Sequence, residues 1–488
     1  MLDLEYVFHP RSIAIVGASS NPSNYATTVF LKPLIKLGYE GRIYPVHPKA
    51  SEVLGLKAYS NILGVPGPID YVISAIRANL TPQLVKECVI KKVKTICLFT
   101  AGFSETGEEE GIRLEREIME IAHQGKVRVI GPNCMGLYCP SSKISYEPSF
   151  PKESGSVGFL CQSGGHSIEG VRIGAAKGLR FGKVVSFGNA CDLNEADFME
   201  YLAHDPQTKV ITGYIEGTKD GRRFINALHE ATKVKPVILM KGGVTEAGAK
   251  AAASHTGALA GSTPIWSFLF RQLGIIEVYD LEEMVELLLL VQHLDPFGGR
   301  RVGLVGAGGG RSVLATDSCE REGLVVPSFP PEVGKKLREI VPKEVDPGSS
   351  MHNPIDSSMS GWDADTFSQI LKTVANQEEI DFLLIYTTAA FGFKKVERII
   401  DTVIENKASV SKPIAMVICR DDEPKVANLV FSFQQKCYQA GIPVFPSFHR
   451  AAKAISKFIQ YNVRLKENSF PAIRLGRNRW GAEAEIHR

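Results

Sequence analysis

A single histidine, His255, stands in a stretch of very small side chains. Of the eighteen residues from 247 to 264, fourteen are Ala, Gly, Ser or Thr. Such a segment buries little apolar area, so packing gives it no strong reason to be rigid, and both a loop and the start of an Ala-rich helix fit it. An imidazole supplies a nucleophile near neutral pH without a metal. His255 is therefore a candidate nucleophile, although an ordinary exposed histidine fits the local sequence equally well.

A nucleophilic imidazole needs a carboxylate to orient its other ring nitrogen. Glu216 ends the apolar run KVITGYIEG, which is typical of a buried strand. In open α/β sheets the carboxyl ends of strands face the ligand crevice. We therefore expect Glu216 to be the orienting group, with an ordinary loop glutamate as the alternative.

Glycine-rich turns after strands are candidate phosphate sites. In the run FLCQSGGHS, Gln162 ends a strand, and Ser163, Gly164 and Gly165 open the next helix. Backbone N–H groups at a helix N-terminus bind anions, and paired glycines allow close approach. The alternative is a capped helix that binds nothing. The turn from Gly306 to Gly310 has the same ambiguity.

Another turn, from Gly17 to Pro22, follows the strand SIAIV but lacks the G-x-G-x-x-G pattern of dinucleotide-binding folds. The end of the second strand reads VHPK, with Val46 followed by Lys49, where NAD enzymes place an acidic residue for the ribose. A cation suits a phosphate better than a ribose, so we expect coenzyme A rather than NAD. An ordinary surface lysine is the alternative.

Short β-branched runs alternate with amphipathic helical segments along most of the chain, a pattern typical of parallel strands with crossover helices. The Pro- and Ser-rich residues 139–155 and the segment HLDPFGGR interrupt this alternation, which then resumes. We therefore predict three α/β domains. Their predicted bounds are residues 1–140, 150–292 and 298–465, followed by a tail over residues 466–488.

Composition excludes several function classes. The 488 residues carry a formal charge of +3 and are 44% hydrophobic, so neither disorder nor a dedicated polyanion partner is indicated, and we expect no nucleic acid. Nine cysteines without a C-x-x-C pair, and no histidines at ligand spacing, favour buried thiols in the cytoplasm and no metal site. No apolar run is long enough to suggest a membrane span.

Several motifs together, in order, resemble one family. These are SIAIVGASSNP, GRIYPVHPK, GPNCMG, QSGG, SFGNACDLNEADFMEYL, YIEGTKDGRRF and ASHTGALAGS. Their order resembles the α-subunit portion of NDP-forming acyl-CoA synthetases, a family that includes ADP-forming acetyl-CoA synthetases and is related to succinyl-CoA synthetase. The resemblance implies a Rossmann-like CoA-binding domain followed by two flavodoxin-like parallel-sheet domains. It also implies an acid–thiol ligase that works through acyl phosphate and phosphohistidine intermediates.

The resemblance assigns roles to individual residues. His255 would be the phosphorylated histidine, and Glu216 the carboxylate bonded to its imidazole. Ser163, Gly164 and Gly165 would hold the phosphoryl group. The CoA site would be lined by Gly17, Ser19, Ser20, Asn21, Pro22, Val46, Lys49, Ile76, Ala101 and Gly102.

The chain departs from the family pattern at two positions: His166 stands in the phosphate turn, and Arg77 stands where the family tends to have a proline. The family uses an ATP-grasp module to bind ATP or ADP with Mg²⁺, and the stretch after residue 465 is too short to be one. We therefore expect that module on a separate β-subunit, in a heterotetramer that acts on CoA and a small carboxylic acid, and we expect the partner to supply a second helix N-terminus for the phosphohistidine. A non-catalytic CoA-binding regulatory or scaffold protein of the same fold is the alternative.

Overall fold

The structure of this chain is a computed structural model. It describes residues 4–21, 23–250, 263–306, 308–341, 351–356, 363–389, 392–419 and 423–467. The strands form three sheets that follow one another along the chain, and a two-stranded hairpin accompanies the first of them.

The first sheet is entirely parallel. Its strands are β1 (Ser12–Val16), β2 (Arg42–Val46), β5 (Tyr71–Ser74), β6 (Thr95–Leu98) and β7 (Arg128–Ile130). The hairpin consists of β3 (Glu52–Val53) and β4 (Leu56–Lys57). The helices are Glu5–Phe8, Ala26–Leu31 (a π-helix), Lys32–Leu37, Ala78–Leu80 (3₁₀), Thr81–Ile90, Ser104–Thr106 (3₁₀) and Glu109–Gly125. The spatial order β2-β1-β5-β6-β7 reverses direction at β1, so a ligand crevice opens where the carboxyl ends of β1 and β5 diverge.

The second sheet has six strands in the order β13-β12-β11-β9-β10-β8. They are β8 (Gly136–Tyr138), β9 (Val157–Cys161), β10 (Phe181–Ser186), β11 (Val210–Ile215), β12 (Val237–Lys241) and β13 (Ile276–Val278). Its helices are Pro140–Ser142 (3₁₀), Gly164–Ala176, Glu195–His204, Gly221–Val234, Thr263–Leu273 and Leu281–His293. Five strands are parallel, and β8 pairs antiparallel with β10 at one edge.

The third sheet is parallel, with the strands in chain order. They are β14 (Val302–Val305), β15 (Phe382–Thr387), β16 (Ile414–Ile418) and β17 (Val444–Phe445). Its helices are Gly310–Arg321, Pro331–Ile340, Ala364–Ala375, Phe393–Asn406, Lys407–Ser409 (3₁₀), Pro424–Gln439 and Phe448–Lys466.

The central strands are buried along their whole length, as in β1, β9, β12 and β16. Parallel strands covered by helices on both faces have this continuous apolar character, which explains why the short β-branched runs are strands. The predicted α/β fold, a Rossmann-like domain followed by flavodoxin-like sheets, is confirmed. The domain bounds stay predictions; β8, which lies before the predicted boundary at residue 140, pairs with the second sheet.

A bidentate ion pair joins the first and second domains. The Arg128 guanidinium donates two hydrogen bonds of 2.8 Å to the Asp192 carboxylate, which also accepts the backbone N–H of Val129 at 2.8 Å. Two parallel N–H···O bonds fix orientation as well as distance. The first and second domains are therefore held in a defined relation.

Buried charges join the second and third domains. Glu286, which is 2% exposed, accepts hydrogen bonds of 2.9 and 3.0 Å from Nε of Arg450 in helix Phe448–Lys466. Burial raises the pKa of Glu286, and the nearby cations of Lys177 and Arg450 oppose that shift. About two turns further along helix Phe448–Lys466, Lys457 Nζ lies 2.6 Å from the Glu283 carboxylate.

Helix Phe448–Lys466 also reaches the segment that leads into the third domain. Asn462 donates a hydrogen bond of 3.2 Å to the carbonyl of Phe297, and the Phe297 ring packs against Phe458 with 5.7 Å between centroids. The first and last parts of the third domain thus lie together. Most of the predicted tail, residues 468–488, lies outside the described residues.

Across the ranges that the structure describes, no helix has both the length and the apolar character needed to cross a membrane.

Candidate active site

Gly17 lies at the carboxyl end of β1, where the crevice of the first sheet opens. Its φ of +99° is in the left-handed region, and a Cβ at this position would lie 2.8 Å from the Ala75 carbonyl oxygen. Its N–H donates to the Val46 carbonyl at 3.0 Å, and the added Cβ would lie 3.2 Å from the Ile76 side chain. The structure therefore brings together three residues predicted to bind CoA: Gly17, Val46 and Ile76. Only glycine fits here, because a side chain would collide with the end of β5.

The rest of this turn is held by its own polar groups. The Ser19 N–H donates to Thr27 Oγ1 at 3.0 Å, and the Asn21 N–H donates to Ser19 Oγ at 3.3 Å. Ser20 and Asn21 are exposed, so their polar atoms are accessible to a ligand. Pro22 lies outside the described residues, and its role stays a prediction.

The opposite wall of the crevice follows β6. Thr100 Oγ1 donates to the Ile76 carbonyl at 2.5 Å, which ties this wall to the end of β5. Ala101 is exposed, and Gly102, with a φ of +105°, donates its N–H to the Glu105 carboxylate at 2.6 Å. Ala101 and Gly102 therefore lie on the same carboxyl edge as Gly17.

Two exposed cations stand on loops at this edge. Lys49 follows β2, and its backbone N–H donates to Nδ1 of His47 at 3.3 Å. Arg77 follows β5, directly before the 3₁₀ turn Ala78–Leu80. Their positive charge suits the phosphates of a nucleotide, so both remain candidates for that contact.

In the second domain, Ser163 caps helix Gly164–Ala176. Its Oγ accepts the backbone N–H of His166 at 3.3 Å. A Cβ at Gly164 would lie 2.9 Å from Cγ of Met135, so that side of the turn is closed, whereas Gly165 is exposed. The predicted phosphate turn is therefore a helix N-terminus that opens on one side, where backbone N–H groups meet an anion favourably.

Glu216 follows β11, which lies directly beside β9. The side-chain oxygen of Gln162, at the end of β9, accepts the backbone N–H of Glu216 and also that of Gly217, the latter at 3.1 Å. Glu216 is 6% exposed. Gln162 thus fixes the predicted carboxylate beside the predicted phosphate turn. His255 lies outside the described residues, and its partnership with Glu216 stays a prediction.

Sequence reasoning missed Lys241, the last residue of β12. Its Nζ donates to the Glu216 carbonyl at 2.7 Å and to the Gly242 carbonyl, and it lies 5.3 Å from the centre of the Trp266 ring. Burial lowers the pKa of Lys241 to about 8, while the charge of Glu216 acts in the opposite direction. A lysine that ends the apolar run KPVILMK was the available signal.

This pKa predicts a pH dependence. Below about pH 8 Lys241 is protonated and its ammonium places a positive charge beside Glu216, and above that pH the charge is lost. We expect phosphoryl labelling of the chain to fall as pH rises through about 8, and this alkaline limb to move to higher pH in Lys241→Arg, because arginine stays charged. Rates of ³²P incorporation between pH 6.5 and 10 measure it. An identical profile in Lys241→Arg, with exposed Lys233→Arg as control, would contradict the assignment.

One tight turn separates the two candidate sites. Asn133, with a φ of +59°, donates its N–H to the Thr100 carbonyl at 3.1 Å on the crevice side. Two residues later, Met135 packs against Gly164 and donates its N–H to Ser186 Oγ at 3.1 Å. The carboxyl edges of the two sheets therefore meet at this turn, and a ligand in the crevice has the phosphate turn as its neighbour.

The turn of the third domain also has a defined geometry. The N–H of Gly309 donates to the Asp356 carboxylate at 2.8 Å. A cavity of about 370 Å³ lies beside it, lined among others by Ser312, Thr316 and His352. A phosphate-binding role for this turn stays a prediction.

Two known domain families match this chain, one over the domain with the glycine crevice and the other over the domain with the predicted phosphate turn. Residues 11–140 match the family described as CoA binding domain, and residues 154–291 match the succinyl-CoA ligase like flavodoxin domain. A Rossmann-like crevice beside a flavodoxin-like sheet that carries the predicted phosphate turn therefore defines a protein of the CoA-ligase class.

Individual relatives extend the match to the whole chain. The chain is 32% identical over 468 residues to the α subunit of ADP-forming acetate–CoA ligase I of Pyrococcus furiosus, covering 94% of this chain and 98% of that subunit. It is 37% identical over 397 residues to ADP-forming acetate–CoA ligase I of Archaeoglobus fulgidus, covering 80% of this chain and 56% of that longer protein.

A solved structure shows the same architecture. The dinucleotide-forming acetyl-coenzyme A synthetase 1 of Ca. Korarchaeum cryptofilum, in complex with phosphate and ADP, superimposes with a TM-score of 0.81 at 30% identity, covering 96% of this chain and 99% of that one. The chain belongs to the family of ADP-forming acyl-CoA ligases, and it corresponds to their α-subunit portion. This membership confirms the predicted family and the predicted CoA-binding domain.

Proposed function

We propose that this chain is the α subunit of an ADP-forming acyl-CoA ligase. The enzyme interconverts a small carboxylic acid, CoA and ATP with acyl-CoA, ADP and phosphate. One observation carries the proposal: Gln162 holds the buried Glu216 beside the helix N-terminus that begins at Ser163, next to the glycine crevice. A phosphate turn, an orienting carboxylate and a CoA crevice on adjoining sheet edges are what phosphoryl transfer to an acyl group requires.

The reaction proceeds in three transfers. The γ-phosphoryl group of ATP moves to an imidazole nitrogen of His255, releasing ADP. A carboxylate oxygen of the acid then attacks phosphorus, the N–P bond breaks, and an acyl phosphate forms. Finally the CoA thiolate attacks the carbonyl carbon and expels phosphate. Each transfer depends on positioning and charge stabilisation rather than on a redox step.

The described residues divide this work among themselves. Glu216 accepts a hydrogen bond from the second ring nitrogen of His255 and so sets its tautomer. Ser163 and the N–H groups of Gly164 and Gly165 bind the phosphoryl oxygens. The turn at Gly17, with Lys49, binds the phosphates of CoA.

The remaining components belong to a partner. We propose an ATP-grasp β-subunit that binds ATP or ADP with Mg²⁺, in a heterotetramer with this chain. The near end-to-end match to a protein named as an α subunit, and the greater length of the Archaeoglobus enzyme, support a second component. All nine cysteines are free thiols, which supports a reducing, cytoplasmic location.

Labelling from the acyl-CoA side tests the proposal without the partner. The chain is incubated with [³²P]phosphate and a panel of acyl-CoA thioesters that includes acetyl-CoA. We expect acid-labile, base-stable label on the protein and release of free CoA, because acyl phosphate formed in the crevice phosphorylates His255. A chain that binds CoA but takes up no label with any thioester would instead be a non-catalytic CoA-binding protein.

A further inference from the structure

His166 lies in the first turn of helix Gly164–Ala176, where its ring meets the cap of that helix. Nδ1 of the imidazole is 2.9 Å from Oγ of Ser163, and that same oxygen accepts the backbone N–H of His166 at 3.3 Å. Both groups of one residue therefore converge on a single hydroxyl. In the proposed function this hydroxyl binds phosphate, and His166 has no assigned role.

The hydrogen-bonding capacity of a hydroxyl is limited to one donor and two acceptor positions. The backbone N–H of His166 occupies one acceptor position of Ser163 Oγ. If Nδ1 carries the ring proton, it donates to the second acceptor position of Ser163 Oγ, and only the hydroxyl proton of Ser163 remains available to a ligand. Phosphoryl oxygens accept hydrogen bonds and donate none when ionised, so a hydroxyl restricted to donation matches them.

We propose that His166 is a positioning residue that makes Ser163 a dedicated hydrogen-bond donor to the phosphoryl group. The inference rests on the proposed function and deepens it, since it assigns a role to one of the two residues at which this chain departs from the family pattern.

The surroundings of His166 hold its ring in place for this task. The imidazole stacks on the Tyr214 ring with 4.5 Å between centroids and 22° between planes. Tyr214 is itself confined, because a Cβ at Gly242 would lie 2.5 Å from its hydroxyl oxygen. Burial, reinforced by the charge of Glu216, raises the pKa of Tyr214, so its ring stays a neutral phenol. The stack on Tyr214 of β11 thus fixes the orientation of Nδ1.

A double-mutant cycle tests this role. We expect Ser163→Ala and His166→Ala each to raise the half-saturating phosphate concentration about tenfold, on the order expected for loss of one hydrogen bond to the phosphoryl group. If His166 acts through Ser163, adding His166→Ala to Ser163→Ala has no further effect. The half-saturating acyl-CoA concentration stays at the wild-type value, because the crevice is untouched.

Rescue separates positioning from packing. An asparagine amide can donate to Ser163 Oγ from nearly the place of Nδ1, so His166→Asn is expected to restore most of the phosphate affinity although it loses the stack. The exposed His204→Ala is the matched control for removal of a histidine. All variants are compared by initial ³²P incorporation from phosphate and acyl-CoA, and by unfolding midpoint.

Two outcomes would overturn the inference. Additive effects in the double variant would mean that His166 acts independently of Ser163, and an unchanged phosphate dependence in a folded His166→Ala chain would mean that it does not act on phosphate at all. Failure of the wild-type chain to take up label would instead refute the proposed function. The two failures are therefore distinguishable in one assay.

Discussion

Glu216→Gln is expected to slow phosphoryl labelling by about ten-thousandfold while leaving the fold intact, a size typical of losing the carboxylate that orients a catalytic imidazole. The amide has nearly the shape of the carboxylate, and the two contacts that fix the backbone here, from Gln162 and Lys241, do not involve the Glu216 side chain. Only the charge and one acceptor are lost. The imidazole of His255 then loses the partner that sets its tautomer.

The same assay supplies the reference points for this variant. His255→Asn gives the lowest labelling rate, since no label is expected without the imidazole. Glu230→Gln, at an exposed position on helix Gly221–Val234, is expected to keep the wild-type labelling rate. CoA binding is measured in parallel and should match the wild type. A Glu216→Gln rate within tenfold of the wild-type rate would remove Glu216 from the relay.

Asp205→Ala is expected to lower the free energy of unfolding of the second domain by about 3–5 kcal/mol, the range found when one partner of a buried ion pair is removed. The Lys183 side chain is 2% exposed, and its Nζ lies 2.9 Å from the Asp205 carboxylate. Without that carboxylate the buried ammonium keeps the Gln207 side chain, at 3.1 Å, and the Tyr201 ring, whose centre lies 5.9 Å away. Guanidinium unfolding, followed by circular dichroism, measures the loss.

Replacing both partners provides the control. Lys183→Met with Asp205→Leu removes both charges together and is expected to lie close to the wild type, because no unpaired charge is left buried. Although burial acts to raise the pKa of Asp205, hydrogen bonds from Thr208 and Lys183 hold it below its usual value. The stabilisation is therefore present above about pH 4 and is lost as pH falls further, as expected for a carboxyl with a depressed pKa in the folded state. Equal losses in the single and double variants would contradict the pairing.

The sequence alone was sufficient for features that depend on local pattern. The buried runs at β1, β9, β11 and β16 became parallel strands because their β-branched character requires cover on both faces. Gly17 adopts the left-handed conformation that its turn requires, and Ser163 caps its helix. Local chemistry determines both outcomes.

Features that depend on strand order were not predictable in the same way. The contact of Lys241 with Glu216 exists because β12 lies beside β11, and the stack of His166 on Tyr214 exists because β9 is its other neighbour. The antiparallel edge strand β8 escaped prediction because its three residues are too few for a period to show. Spatial neighbours in a sheet are separated by whole helices in sequence, which periodicity cannot bridge.

The junction at Phe297 has an architectural consequence. Because Asn462 and Phe458 of helix Phe448–Lys466 meet Phe297, which directly precedes the predicted third domain, the two described ends of that domain adjoin. A unit with adjoining ends can be exchanged, duplicated or moved within a gene without stretching the chain around it. The buried charges of Glu283 and Glu286 attach the domain to helix Leu281–His293, which lies shortly before it in sequence. A segment that includes this helix would therefore carry the attachment with it. The third domain can thus be gained, lost or moved as a unit, which suits a family whose members differ in overall length.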